Sequence, residues 1–114
     1  MARFVKRGDV YIVNLGNPYG TEQGGNRPCI IVSNQKCCAF SDLVYIAPIT
    51  SQIKSDIPEH YILYQSEFPF LDYAINTVLG EQTKPVDKMR LNNKIGEIPT
   101  NILSQIIDRI KINF

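Results

Sequence analysis

The sequence predicts a mainly β domain, a small coiled antiparallel barrel with one C-terminal helix. Three observations carry this. Short β-branched and aromatic runs, cut by turn residues, fill the first two thirds of the chain. No amphipathic run of helix length separates them, which argues against βαβ units. The tail then changes period, with Ile102, Leu103, Ile106, Ile107 and Ile110 recurring at steps of one, three and four.

The elements follow in order. Val10 to Leu15 opens after Arg7-Gly8-Asp9 as a first strand, and Gly16-Asn17-Pro18-Tyr19-Gly20 ends it. Residues 21–28 are polar and glycine-rich, an exposed loop. Cys29 to Ser33 reads as a strand whose continuous apolar run implies cover on both faces. Asp42 to Ile49 gives a third strand, and Pro48 implies that it lies near an edge or stops there. His60 to Tyr64 and Tyr73 to Leu79 are further strands. Glu81 to Val86 extends the latter or forms another, and Asp87 to Leu91 adds a helical turn. Pro99 and Thr100 stand where a helix start belongs. The whole chain, 1–114, reads as one domain.

Composition narrows the functional classes. Apolar residues at 44% and charged residues at 20% fit an ordinary soluble globular protein. No run of 18 apolar residues marks a membrane span, and the basic N-terminus has no apolar signal region. The three cysteines, Cys29, Cys37 and Cys38, make a poor disulfide framework, because two are adjacent and the count is odd. Free thiols in a reducing, cytoplasmic compartment are the simpler expectation. With His60 the single histidine and no CxxC pair, no metal site is expected. The net charge of +1 argues at first against nucleic acid, but it is unevenly spread. Residues 1–39 carry a balance of +3, residues 40–82 of −5, and residues 83–114 of +3.

Five phrases line up along the chain: Arg7-Gly8-Asp9-Val10-Tyr11, Glu22-Gln23-Gly24-Gly25-Asn26-Arg27-Pro28, Pro48-Ile49-Thr50-Ser51, Glu81-Gln82, and Val86-Asp87-Lys88-Met89-Arg90-Leu91. In this order and spacing the sequence resembles the MazF/PemK family, the toxins of type II toxin–antitoxin systems. The resemblance runs from about Lys6 to the final helix. It implies a homodimeric SH3-like (PemK-like) barrel and a sequence-specific endoribonuclease that cuts single-stranded RNA without a metal or other cofactor. The products would carry 2′,3′-cyclic phosphate and 5′-hydroxyl ends. A cognate antitoxin would neutralise the toxin through an extended segment, and the two basic thirds suit an acidic one.

The reaction asks for a group that removes the 2′-OH proton, one that stabilises the phosphorane, and one that protonates the 5′-oxygen. A guanidinium suits the second task, and a hydroxyl suits orientation. Each preorganised donor is worth about 3–4 kcal/mol. The resemblance assigns the catalytic pair to Arg27 and Thr50. Pro28 favours an extended backbone at Arg27, which helps aim its side chain. Read without the resemblance, Arg27 fits equally a structural ion pair with Glu22 or an acidic residue of the middle segment, and Thr50 a turn position, while Ser51 is a candidate to share the catalytic role of Thr50. Glu81 is a candidate base or partner of Arg27, and equally a strand-end charge. One branch of the family uses a loop histidine, an arginine and an aspartate where this chain has Thr21, Leu79 and Glu81, so the Arg27/Thr50 version is favoured.

The candidate RNA contacts are Glu22, Gln23, Asn34, Gln82 and Lys84. Amides can read the edges of unstacked bases. Lys84, Lys88 and Arg90 suit phosphates or a solvated face. Tyr19 and Phe40 suit base stacking or, more commonly for small barrels, the core. His60 lies outside the matching phrases and reads as structural. The lengths of 16–26 and 51–59 are expected to set the cleaved sequence. Two other functions share the architecture. A gyrase-poisoning toxin would need a Trp-Gly-Ile type of tail, whereas this chain lacks Trp and ends Lys111-Ile112-Asn113-Phe114. A non-catalytic RNA- or partner-binding module would tolerate loss of Arg27.

Overall fold

The computed structural model describes residues 4–52 and 56–114. Among these residues, seven strands and two helices run in the order β1 (Asp9–Asn14), β2 (Asn26–Ile31), α1 (Gln35–Phe40), β3 (Leu43–Thr50), β4 (His60–Tyr64), β5 (Ile75–Leu79), β6 (Lys84–Asp87), β7 (Leu91–Glu97) and α2 (Thr100–Lys111). Single 3₁₀ turns at Gly80–Gln82 and Lys88–Arg90 flank β6. All strand pairs are antiparallel, in the order β4-β5-β3-β2-β1-β7, with β6 on β3. The mainly β architecture with a C-terminal helix is the one expected, with the sheet not closed into a full barrel. Among the described residues no pairing joins β4 to β7.

The central strands are buried on both faces, as the apolar run at Cys29 requires. Alternation sends Val10, Ile30, Ala47 and Ile49 to one core, where Leu103, Ile106 and Ile110 of α2 pack with Leu63 and Val78. It sends Tyr11, Cys29, Ile31 and Ile46 to a second core, closed by Cys38 of α1, Val86 and Leu91. Arg109 ties α2 to the start of β4 by donating to the Pro58 carbonyl just before it at 3.1 Å and to the His60 carbonyl at 3.4 Å.

Four elements differ from the sequence expectation. β2 begins at Asn26, so Arg27 and Pro28 belong to the strand rather than to the loop. The short helix α1 interrupts the strands, started by Asn34, whose side chain accepts from the Cys37 N–H at 2.9 Å. Strand β7 has the poor β composition LNNKIGE. Its pairing with β1 is irregular, and Lys94 meets the buried Asp9 carboxylate at 3.1 Å. Finally, Pro48 is buried inside β3, which continues to Thr50. One edge of β3 pairs with β2, while the other changes partner from β6 at Leu43–Ile46 to β5 at Ile49–Thr50. Pro48 falls at that change, where the missing N–H breaks no ladder.

Candidate active site

The Cys29↔Pro48 pair fixes the geometry of the candidate catalytic residues. The pairing of β2 with β3 ends there; Arg27 lies two residues before Cys29 and Thr50 two residues after Pro48. Period-two alternation puts both side chains on the Cys29 face. On its other side, Thr50 pairs with Thr77 of β5. The Thr50 side chain is buried, and its Oγ1 accepts from the Gln52 N–H at 3.1 Å, leaving its own proton to donate. Arg27 is half-buried and spends Nε on the Gly24 carbonyl at 3.1 Å. Arg27 is among the residues that line two hollows, one with Ser51 and Asn76, the other with Glu22, Gln23 and Gln52. The ion pair of Arg27 with Glu22 is not formed, since the Glu22 carboxylate accepts instead from the Tyr19 N–H at 3.1 Å.

A second cation joins Arg27. Lys84 on β6 pairs with Ile46 and, like Arg27, lies close enough to act on the Cys29 thiol. Burial pushes that thiol up to about 12, against the opposing pull of Lys84 and Arg27. Both cations therefore flank one buried point of the sheet. Lys84 also lines a third hollow with Glu22, Gln23, Glu81 and Gln82, next to that of Arg27. Arg27, Ser51, Glu22, Gln23, Glu81, Gln82 and Lys84 thus line three hollows that have residues in common, whereas Thr50 is buried and lines none of them.

The loop between β1 and β2 is built as much as it is exposed. It prolongs the hairpin through Leu15 N–H to Gly25 carbonyl and Gly25 N–H to Gly16 carbonyl, at 2.9 and 2.8 Å. Pro18 packs on Gly24 so closely that a Cβ there would overlap its ring. Gln82 reaches across from the Gly80–Gln82 turn. Its Oε1 accepts from the Gln23 N–H at 2.8 Å and its Nε2 donates to the Thr21 carbonyl at 3.3 Å.

Other candidates stand elsewhere. Asn34 caps α1 and lines none of these hollows. Lys88 is buried, its ammonium on the Cys38 carbonyl at 2.6 Å, so it is no solvated phosphate holder. Arg90 donates to the Asn14 carbonyl at 3.4 Å. Tyr19 and Phe40 are on the surface, at 85% and 84% exposure, rather than in the core. The residues 53–55 within the second expected specificity loop lie outside the described ones.

Sequence reasoning placed His60 away from the site. Its Nε2 meets Glu81 Oε2 at 2.9 Å, although 21 residues separate them. The signal was the β4–β5 register, which sets His60 opposite Leu79 and thus beside the turn that carries Glu81. A larger hollow of about 500 Å³ lies beyond His60, lined by Asp56, Tyr61, Ile62, Thr77 and Arg109. It contains none of the candidate catalytic residues, and Arg109 already serves backbone carbonyls there. Among the described residues, no three His, Cys, Asp or Glu side chains gather as a metal ion would require. No helix among them is long and apolar enough to cross a membrane.

The sequence is similar to known proteins along its length. It is 34% identical to Endoribonuclease EndoA of Bacillus subtilis over 110 residues, 96% of this chain and 93% of that protein. It is 33% identical to Endoribonuclease MazF of Staphylococcus saprophyticus, covering 96% and 90% of the two chains. The fold matches crystalline MazF of Deinococcus radiodurans with a TM-score of 0.79, at 21% identity and over 97% and 96% of the chains. It also matches a mycobacterial endoribonuclease solved with its cognate antitoxin, with a TM-score of 0.73, 23% identity and coverage of 95% and 92%. The profile of the family described as PemK-like, MazF-like toxins of type II toxin–antitoxin systems matches residues 6–114, and the chain belongs to that family.

Proposed function

We propose that the chain, as an endoribonuclease toxin of this family, cuts single-stranded RNA such as mRNA at a preferred short sequence by attack of the ribose 2′-OH on the adjacent phosphorus. The P–O bond to the 5′-oxygen breaks as the P–O bond to the 2′-oxygen forms. The ends are then a 2′,3′-cyclic phosphate and a 5′-hydroxyl, and no metal ion is needed.

The observation that carries this reading is that Arg27 and Thr50 each stand two residues beyond the Cys29↔Pro48 pair, on neighbouring strands and on one face. Arg27 would place its open N–H groups on the phosphorane oxygens, where charge grows in the transition state. Thr50, already accepting from Gln52, would donate its proton to the same phosphate and fix its orientation. Ser51 lines the neighbouring hollow and supports the following nucleotide. Lys84 supplies a phosphate contact across the groove, and Glu22 and Gln23 border the path of the bases. Glu81 is held by His60 and supports the site from its edge.

Neutralisation by a cognate antitoxin, assembly as a homodimer and a cytoplasmic site of action belong to the same proposal. The antitoxin-bound mycobacterial relative supports the first. Exposed Ile62, Tyr64 and Ile75 on the β4–β5 hairpin leave apolar surface that a second copy could cover.

The test is cleavage of a long single-stranded RNA in excess EDTA, with the product ends mapped. Cuts at one short sequence with cyclic phosphate ends, abolished in Arg27→Ala, are expected. Intact RNA at high protein concentration would overturn the activity, and dependence on added metal would overturn the metal-free route.

A further inference from the structure

We infer that Gln82 is a positioning residue: through two hydrogen bonds to the β1–β2 loop, it fixes the loop conformation that aims Arg27. The inference rests on the catalytic reading of Arg27 given above. Its first readout is independent of that reading.

The chain of contacts is continuous. The primary amide of Gln82 is used at both ends, accepting from Gln23 N–H and donating to the Thr21 carbonyl. One side chain thus acts as a short strand edge for a loop that has no strand beside it. One residue beyond Gln23, the Gly24 carbonyl accepts a hydrogen bond from Arg27 Nε–H. The orientation of the guanidinium is therefore set by a backbone segment that Gln82 holds in place.

The holder is itself fixed. Gln82 belongs to the Gly80–Gln82 turn, which closes with Thr83 N–H and Oγ1 donating to the Gly80 carbonyl at 3.3 and 2.8 Å. Gly80 sits against the backbone of Glu59 so closely that any Cβ would overlap the Glu59 carbonyl. Between these two residues, Glu81 is bonded to the nearly buried His60 ring. The turn is thereby clamped to the edge strand β4, and Gln82 projects from a rigid base.

The latched loop also carries a penalty. Gln23 is buried, and its side-chain Oε1 has no hydrogen-bond partner. A buried carbonyl left unpaired disfavours the conformation that buries it. Two hydrogen bonds from Gln82 oppose one orphaned acceptor on Gln23, so changes at the two positions should act in opposite directions.

Hydrogen exchange of the residue 23 amide, followed by NMR on the intact protein, reads this directly. Gln82→Ala should speed that exchange about tenfold or more, by removing its acceptor. Gln23→Met, which removes the orphaned carbonyl, should slow it. Unchanged exchange in Gln82→Ala, or unchanged or faster exchange in Gln23→Met, would overturn the latch; the second variant decides alone if the first does not fold. In RNA cleavage, Gln82→Ala should lower kcat for all substrates alike, leaving KM and the order of preferred sequences nearly as before. A changed sequence preference with unchanged exchange would make Gln82 a base reader and overturn the inference. Faster exchange with unaltered kcat would overturn the link to Arg27. A wild-type protein that cuts no RNA would refute the catalytic reading, while the exchange data would still judge the latch.

Discussion

Arg27 and Lys84 act on the same buried atom, the Cys29 thiol, from two different strands. Their charges oppose the burial that pushes the thiol up, and burial wins, leaving it at about 12. The reactive form of a thiol is the thiolate. At pH 8 only about one Cys29 in ten thousand would be ionised, given a value of about 12. Burial likewise raises the Cys38 thiol, and Cys37 is the least buried of the three. An aromatic disulfide reagent at pH 8 should therefore label Cys37 first in the native protein. All three should react in guanidinium. Rapid native labelling of Cys29, mapped by mass spectrometry, would contradict the packing described.

The division of labour between Arg27 and Thr50 predicts distinct kinetic losses. Arg27→Lys keeps the charge and loses the planar fork, so kcat should fall about 10²–10³-fold with little change in KM. Thr50→Ser should keep most of the rate, because the hydroxyl remains. Thr50→Val, with the same shape and no hydroxyl, should approach the loss seen at Arg27. Single-turnover cleavage of a short RNA containing the preferred sequence would measure all three, and equal activity in Thr50→Val and Thr50→Ser would remove the hydroxyl from the mechanism.

Lys94 should matter to stability over a defined pH range. Partial burial works to lower its pKa, but the hydrogen bond and charge of Asp9, with the charge of Glu97, outweigh it, so the net shift is upward from 10.5. Its stabilising contribution is therefore complete below that value and fades as pH rises through the folded pKa. Glu97 runs the other way. The hydrogen bond and charge of Lys6, then Lys94, lower its carboxyl from 4.5, so its contribution is present above 4.5 and lost as pH falls. Lys94→Met should cost about 2 kcal/mol at pH 7, because it strands the buried Asp9 carboxylate, a cost reduced by the partial exposure of Lys94. Urea unfolding at pH 7 and above pH 11 should show the difference from wild type shrinking in alkali.

The core under α2 sets the global stability. Ile106 is 1% exposed and packs with Val10, Ile30, Leu63 and Val78. Ile106→Ala should cost about 3 kcal/mol through lost burial and the cavity left behind. The melting temperature should drop by roughly 10–15 °C. Calorimetry would check this, and a loss under about 1 kcal/mol would mean that the site collapses around the gap.

Much of the fold was legible because its signals are local. β4 was read with its observed limits, and the isoleucine period gave α2. β7 was not legible, because Asn92, Asn93, Lys94 and Gly96 have little strand preference. The strand exists through its pairing with β1 and the ion pairs of Lys94. Helix α1 was missed because six residues give too little periodicity, although Asn34 was its cap signal. At the site, the phrases containing Arg27, Ser51 and Gln82 supply residues that line adjoining hollows, whereas Thr50 is buried and lines none of them. The contact of His60 with Glu81 was hidden, since it depends on strand register rather than on spacing.

The change of partner along β3 has a consequence for how the molecule fails. The Leu43–Ile46 end is secured to β6, whereas Ile49 and Thr50 are secured to the β4–β5 hairpin at the outer end of the sheet. Thr50 thus sits on a seam between two sub-sheets, while Arg27 stays with the β1–β2 side. Loosening of the outer hairpin separates the two side chains without dismantling β1, β2 and the second core. Heat or mild denaturant should therefore silence the enzyme before the bulk of the sheet melts, and recovery on cooling should need only the hairpin to re-dock.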